Sequence, residues 1–172
     1  MDLKFRNLNA NEIECRVNQI NEKGLTLLLY KDARCDMNIL DETVGAMNWQ
    51  RKHDRDNANC TVSIYDSERN IWVSKEDVGI ESNTHAEKGL ASDSFKRACV
   101  NWGIGRELYT APFIYIPASS CEIKMGNNGK WTTNTKFKVN NIAYDKNGNI
   151  VKLVIINNKR EKVFEVNYEN NK

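Results

Sequence analysis

The sequence predicts an α+β fold, an antiparallel β-sheet packed by one long helix, with a β-meander toward the C-terminal end. Three observations predict it. Residues 60–65 and 71–75 carry alternating apolar residues on either side of the polar loop Asp66-Ser-Glu-Arg-Asn70, the pattern of a hairpin. Residues 84–102 place Ala91, Phe95, Ala98, Cys99 and Trp102 on one helical stripe. From residue 136 onward, short apolar runs alternate with turns rich in Asn and Gly.

Taken in order, residues 9–21 read as a short helix, with Ile13, Val17 and Ile20 on one side, Asn9 and Glu12 as its cap and Gly24 as its stop. Leu25-Thr-Leu-Leu-Leu-Tyr30 is a compact apolar run compatible with a buried strand, too short for periodicity to decide. Residues 36–44 form an amphipathic helix carrying Met37, Leu40 and Val44, closed by Gly45, and Trp49-Gln-Arg-Lys-His53 starts a strand. After the hairpin, Thr84-His-Ala-Glu87 has the form of a capping box for the long helix, and Gly103 and Gly105 end it. Lys96 and Arg97 then flank the apolar stripe as an exposed basic pair. Ala111-Pro112 and Ile116-Pro117 mark an extended segment, because proline and its predecessor disfavour helix. The meander follows as runs 137–139, 142–144, 150–156 and 163–166, turning at Asp145-Lys-Asn-Gly148 and Asn157-Asn158, with Gly126-Asn-Asn-Gly129 as a loop before it. This divides the chain into a main domain, 1–118, and a β-rich appendage, 119–172.

Composition narrows the function. In 172 residues, 25 Lys and Arg stand against 23 Asp and Glu, so a polyanion site has to come from local clustering, not from a general basic field. No apolar run approaches the ~20 residues that span a bilayer, and the first residues lack a signal-peptide core, so the reading is a soluble cytoplasmic protein with no membrane partner. Five scattered cysteines without a Cys-x-x-Cys pair, and only two histidines, predict neither disulfide framework nor metal. No phosphate-binding loop is present, and Gly103-Ile-Gly105 follows a helix instead of opening one, so no nucleotide cofactor is expected. Ser92 and Ser94 have no neighbouring histidine in sequence, which argues against covalent serine catalysis.

Two chemistries remain. Asp77, Glu81, Glu87 and Asp93, with Glu122-Ile-Lys124, have the residue types of a magnesium-dependent nuclease, if they converge. Alternatively Lys31, Arg34, Arg51, Lys52, Lys96, Arg97 and Arg106, all near element edges, line a groove that neutralises phosphates. Trp49, Trp72, Trp102 and Tyr65 are ring candidates for stacking bases, but Trp49 and Trp72 are read as core before platform, and Trp102 belongs to the buried stripe.

Asp77-Val-Gly79 followed by Ser92-Asp-Ser-Phe-Lys-Arg-Ala-Cys-Val-Asn-Trp-Gly103 resembles the signature of the Rad-fifty-two superfamily of single-strand annealing proteins, especially its short phage and prophage members. Upstream, residues 30–49, with Arg34, an amphipathic helix, Gly45 and Asn48-Trp49, agree in order, so the resemblance covers roughly residues 25–115. It implies a β-β-β-α core, assembly into rings or larger homo-oligomers, and ATP-independent binding of single-stranded DNA and annealing of complements in phage recombination and repair, without covalent chemistry. It implies Lys96 and Arg97 as the DNA-contacting pair and Arg34 as a third contact. The chain departs from the pattern at Val100, where a further arginine is expected, and at Ala46, where an aromatic is expected. A metal-dependent recombination nuclease and a non-enzymatic protein-interaction module stand as alternatives. Docking of a single-strand-binding protein on residues 120–172 is left open.

Overall fold

The computed structural model describes residues 3–80 and 86–168. The first element is a single 3-10 turn, Ala10–Glu12, in which the Glu12 carboxylate takes the Asn9 N–H at 2.7 Å. The chain then runs on as a strand, β1 (Ile13–Asn21), where a helix was expected. Non-local pairing overrides the helical spacing: β1 forms an antiparallel hairpin with β2 (Gly24–Lys31), whose apolar run was the ambiguous one. Asn21 turns the hairpin by accepting the N–H groups of Lys23 at 2.8 Å and Gly24 at 3.2 Å. Gly24 is therefore no helix stop. A Cβ there would collide with the Tyr115 ring and the Ile116 carbonyl of a neighbouring strand.

Helix α1 (Ala33–Val44) is capped by Asp32, which accepts the Arg34 N–H at 2.7 Å, and ends at Gly45 with φ +85°. Then come β3 (Trp49–Asp54), β4 (Asn59–Asp66), β5 (Ile71–Val78) and α2 (Ala86–Trp102). The capping box expected at 84–87 lies outside the described side chains. A 3-10 turn, Arg106–Thr110, leads to β6 (Ile114–Pro117), the extended segment its prolines announce. Next is a two-rung hairpin, β7 (Lys124–Met125) and β8 (Trp131–Thr132), built around the Gly126–Gly129 loop. The meander β9 (Phe137–Tyr144), β10 (Ile150–Asn157) and β11 (Lys162–Asn167) completes the chain, with runs 137–139 and 142–144 fused into one strand.

These elements form two compact units, Met1–Arg6 with Asp32–Arg106, and Asn7–Lys31 with Glu107–Lys172. The border expected near residue 118 is not where they part. The cause is β1, which pairs with β2 on one side and, through Glu14 opposite Lys138, with β9 on the other, so the meander shares a sheet with the first hairpin.

The first unit is a β-β-β-α core: the antiparallel sheet β3-β4-β5 with α2 across one face and α1 beside α2. Strand alternation puts Cys60, Val62 and Ile64 on the helix side, where each is at most 3 % exposed. They meet Phe95, Ala98 and Cys99 of the predicted stripe, all fully buried. Burying each large apolar side chain here stabilises the fold by about 1.5–3 kcal/mol.

In the second unit the sheet runs β11-β10-β9-β1-β2-β6. Bulges in β1 and β10 coil it until β11 and β6 approach each other without backbone pairing, which makes a half-closed barrel. Leu25, Leu27, Ile114, Ile116, Leu153 and Ile155 form its interior. Among the described residues, no helix is long and apolar enough to cross a membrane.

Candidate nucleic-acid interface

The seat of α2 on the sheet explains why the Asp77-Val-Gly79 segment matters. A Cβ at Gly79 would stand 2.7 Å from the Ser94 N and 3.0 Å from the Leu90 O, so only glycine lets the end of β5 pass this close to the helix backbone. Asp93 secures the same crossing by accepting the Ile80 N–H at 3.0 Å. From that seat the two flanks of α2 face different neighbours.

Toward β5, the Arg97 Nε lies 3.6 Å from the Asp77 carboxylate, outside hydrogen-bond range but within ion-pair range, and its side chain is 39 % exposed. Asn101 spans the same gap, donating to the Glu76 O at 2.9 Å and to the Asp77 carboxylate at 3.3 Å. Arg97 is thus half-buried and partly neutralised, not a fully displayed cation. Asn101 and Asp77 bind the helix to the sheet.

Toward β3, the picture is reversed. Arg51 lies with its guanidinium carbon 4.7 Å from the centre of the Phe95 ring, and Trp49 stacks on the same ring at 6.1 Å with 25° between planes. Trp49 is fixed by donating its indole N–H to Asp41 at 2.6 Å. Lys96, the next residue after Phe95, has no hydrogen-bond or ion-pair partner among the described residues, and neither does the Arg51 guanidinium beyond its ring contact. Asp32 brings in the third cation. Its carboxylate is held below the usual range chiefly by the hydrogen bond from Arg34, whose Nη2 is 2.6 Å away, and Lys96 adds to that lowering. Arg34 itself is 81 % exposed. Arg34, Arg51 and Lys96 therefore belong to one side of α2.

The remaining sequence candidates separate from this group. Lys52 follows Arg51 on a strand, so it points to the opposite face of the sheet. Arg106 is exposed but serves as a helix cap, its guanidinium donating to the carbonyls of Val100 at 2.9 Å and Asn101 at 3.2 Å. Lys31 is 5 % exposed and belongs to the barrel unit. One cation went unnoticed in the sequence. Lys75 sits 4.6 Å over the Trp102 ring and donates to the Asn101 O at 2.9 Å. Its alternation with Asp77 on β5 was the signal that would have found it.

Of the rings, Trp102 is pinned by donating to the Val62 O at 3.0 Å, and Trp72 packs on Tyr65 at 5.3 Å on the open face of the sheet, where it is 44 % exposed. Ser94 does have a histidine nearby, His53 Nδ1 at 3.4 Å, contributed by β3, 41 residues earlier in the chain. Its hydroxyl is fully buried and donates to the Asn57 O at 2.9 Å, so it is a structural group closed to substrate. Burial, and then Arg51, lower the pKa of His53. Among the described residues, no three His, Cys, Asp or Glu side chains converge as a metal site. Asp77 and Asp93 are engaged as above, the Glu122 carboxylate lies 4.0 Å from Lys124, and Glu81 and the Glu87 side chain lie outside the described residues.

Compared with models of protein families, with curated proteins and with solved structures, the chain matches none.

Proposed function

We propose that the chain is a single-strand annealing protein of the Rad-fifty-two type, which binds single-stranded DNA and pairs complements without ATP, in phage recombination and repair within the bacterial cytoplasm. The observation that carries this reading is the β3 side of α2. There Lys96 and Arg51 make no hydrogen bond or ion pair to the described residues, beside the exposed Arg34. The β-β-β-α core beneath them supports it, because annealing asks only that phosphates be held by rigidly mounted cations while base edges stay open to a second strand. In this reading Arg34, Arg51 and Lys96 hold the phosphates, and Arg97 shares its charge between Asp77 and the strand. Assembly into a homo-oligomeric ring multiplies weak contacts per subunit through effective concentration.

The test is annealing of complementary labelled oligonucleotides with EDTA present, over a range of ionic strength, with particle size by light scattering. Acceleration that falls steeply with salt is expected. The variant Lys96→Ala with Arg51→Ala should lower single-strand affinity and flatten the salt slope by about 1.4, at ~0.7 per lost phosphate contact. Strand loss that requires magnesium would replace this reading with a nuclease, and absence of binding at low salt would leave an interaction module.

A further inference from the structure

The barrel unit carries a charge density that the whole-chain balance conceals. Between residues 123 and 160 stand eight lysines and arginines against one carboxylate, Asp145, in a chain of net charge +2. That carboxylate is occupied by its own turn, accepting the N–H groups of Asn147 at 2.8 Å and Asn149 at 2.9 Å. Of the eight, Lys124 is paired with Glu122 at 4.0 Å, and the other seven have no ion-pair partner among the described residues.

Three of these cations gather at one end of the barrel. Lys159 and Arg160 lie in the turn between β10 and β11, and Lys136, just before β9, is tied to that turn by donating its N–H to the Asn158 side chain at 3.3 Å. All three are exposed, and none has an ion-pair partner among the described residues. The same end holds a cavity of about 380 Å³, lined by Ser119, Ser120, Asn134, Thr135, Asn158 and Lys159 among others. The Ser119 and Ser120 hydroxyls and the Asn134 amide make no hydrogen bond to the described residues, so they are free to serve a ligand. Two carboxylates share the lining, and both are drawn off by the chain's own donors: Glu161 accepts the Asn157 amide at 2.8 Å, and Glu122 stands 4.0 Å from the Lys124 ammonium.

Barrel mouths are places where ligands settle, and this cavity sits near the lower end of the ~300–1,000 Å³ typical of small-molecule sites. We infer that the mouth of the barrel is a second binding site, for a phosphodiester strand, with one unpaired nucleotide seated among Ser119, Ser120, Asn134 and Asn158. Lys136, Lys159 and Arg160 neutralise the phosphates on either side of it. The cavity has room for one nucleotide and none for its base-paired partner, which selects single-stranded over duplex nucleic acid. No residue of the helix interface takes part, so this site stands or falls apart from the annealing core.

The experiment is fluorescence anisotropy of labelled oligothymidylate with the full chain and the variant Lys136→Gln, Lys159→Gln, Arg160→Gly. Glycine is chosen at 160 because Arg160 has φ +64°. Affinity should fall roughly tenfold or more, and the slope of log affinity against log salt should become shallower by about 2, for three phosphate contacts at ~0.7 each. Asn134→Asp, which adds a negative charge to the cavity and touches no cation, should also weaken binding. Unchanged affinity and slope in both variants would overturn the site. So would tighter binding of polyglutamate than of the oligonucleotide, lost in the triple variant, since the mouth would then be a site for an acidic polypeptide. Should Lys96→Ala with Arg51→Ala leave binding intact while the triple variant abolishes it, the core reading falls and the mouth remains.

Discussion

The guanidinium of Arg51 and the phenyl ring of Phe95 form a cation–π pair at 4.7 Å, in which a fully buried ring supports a charge at the surface. The two residues divide anchoring from binding. Phe95→Ala should cost about 3–5 kcal/mol of stability, read from urea denaturation. Arg51→Met keeps the hydrocarbon stem and should cost no more than about 1 kcal/mol while weakening single-strand binding.

Asp32 restrains the same group of cations. Asparagine caps a helix as well as aspartate does, so Asp32→Asn should preserve α1 while releasing Arg34 and Lys96 from a neighbouring negative charge. Single-strand affinity should rise, with a salt slope steeper by up to about 0.7. Because the Asp32 pKa is lowered in the fold, its stabilising contribution is present above the ordinary carboxylate range and is lost as pH falls through the lowered value. Acid titration below about pH 4 should therefore destabilise the parent chain more than the variant.

At Gly79 the expected cost is steric. A methyl group would press on the α2 backbone at Ser94 and Leu90, which cannot yield as a flexible side chain would. Gly79→Ala should destabilise by about 1–3 kcal/mol and lower the melting temperature, and a neutral result would show that α2 tolerates displacement from β5.

His53 gives a second pH dependence, on the neutral side. Its pKa is lowered in the fold, so the unfolded chain takes up the proton first, and stability present above about pH 6.5 should decline as pH drops toward the folded value. His53→Gln should flatten denaturation midpoints measured across that interval.

Particular residues show how much of this was legible in the sequence. The stripe Phe95, Ala98, Cys99 was plain, because a long helix repeats its period often enough to be read, and the β4-β5 hairpin announced itself by alternation, whereas the pairing of β3 with β4 did not. Residues 13–20 misled, since Ile13, Val17 and Ile20 fit a helix equally well. What decides is pairing with β2 and β9, with Asn18 bulged out of register and Val17 left 40 % exposed. Arg97 was read as a free cation because Asp77 is distant in sequence and meets it only once β5 and α2 are packed. Arg51 and Lys52 were grouped although strand alternation alone separates them. The barrel-mouth cations were visible all along, hidden by an overall charge near zero.

The pairing of Glu14 with Lys138 makes the barrel a split element, begun by the first hairpin and finished only by the meander, with Asp32–Arg106 inserted between. During synthesis the inserted core has all its strands and both helices in hand while β1 still lacks β9 and β2 still lacks β6. The first hairpin must therefore wait with an open edge, and the barrel, bound by contacts of long sequence separation, is the part whose folding is slow and whose exposed strands a chaperone would meet.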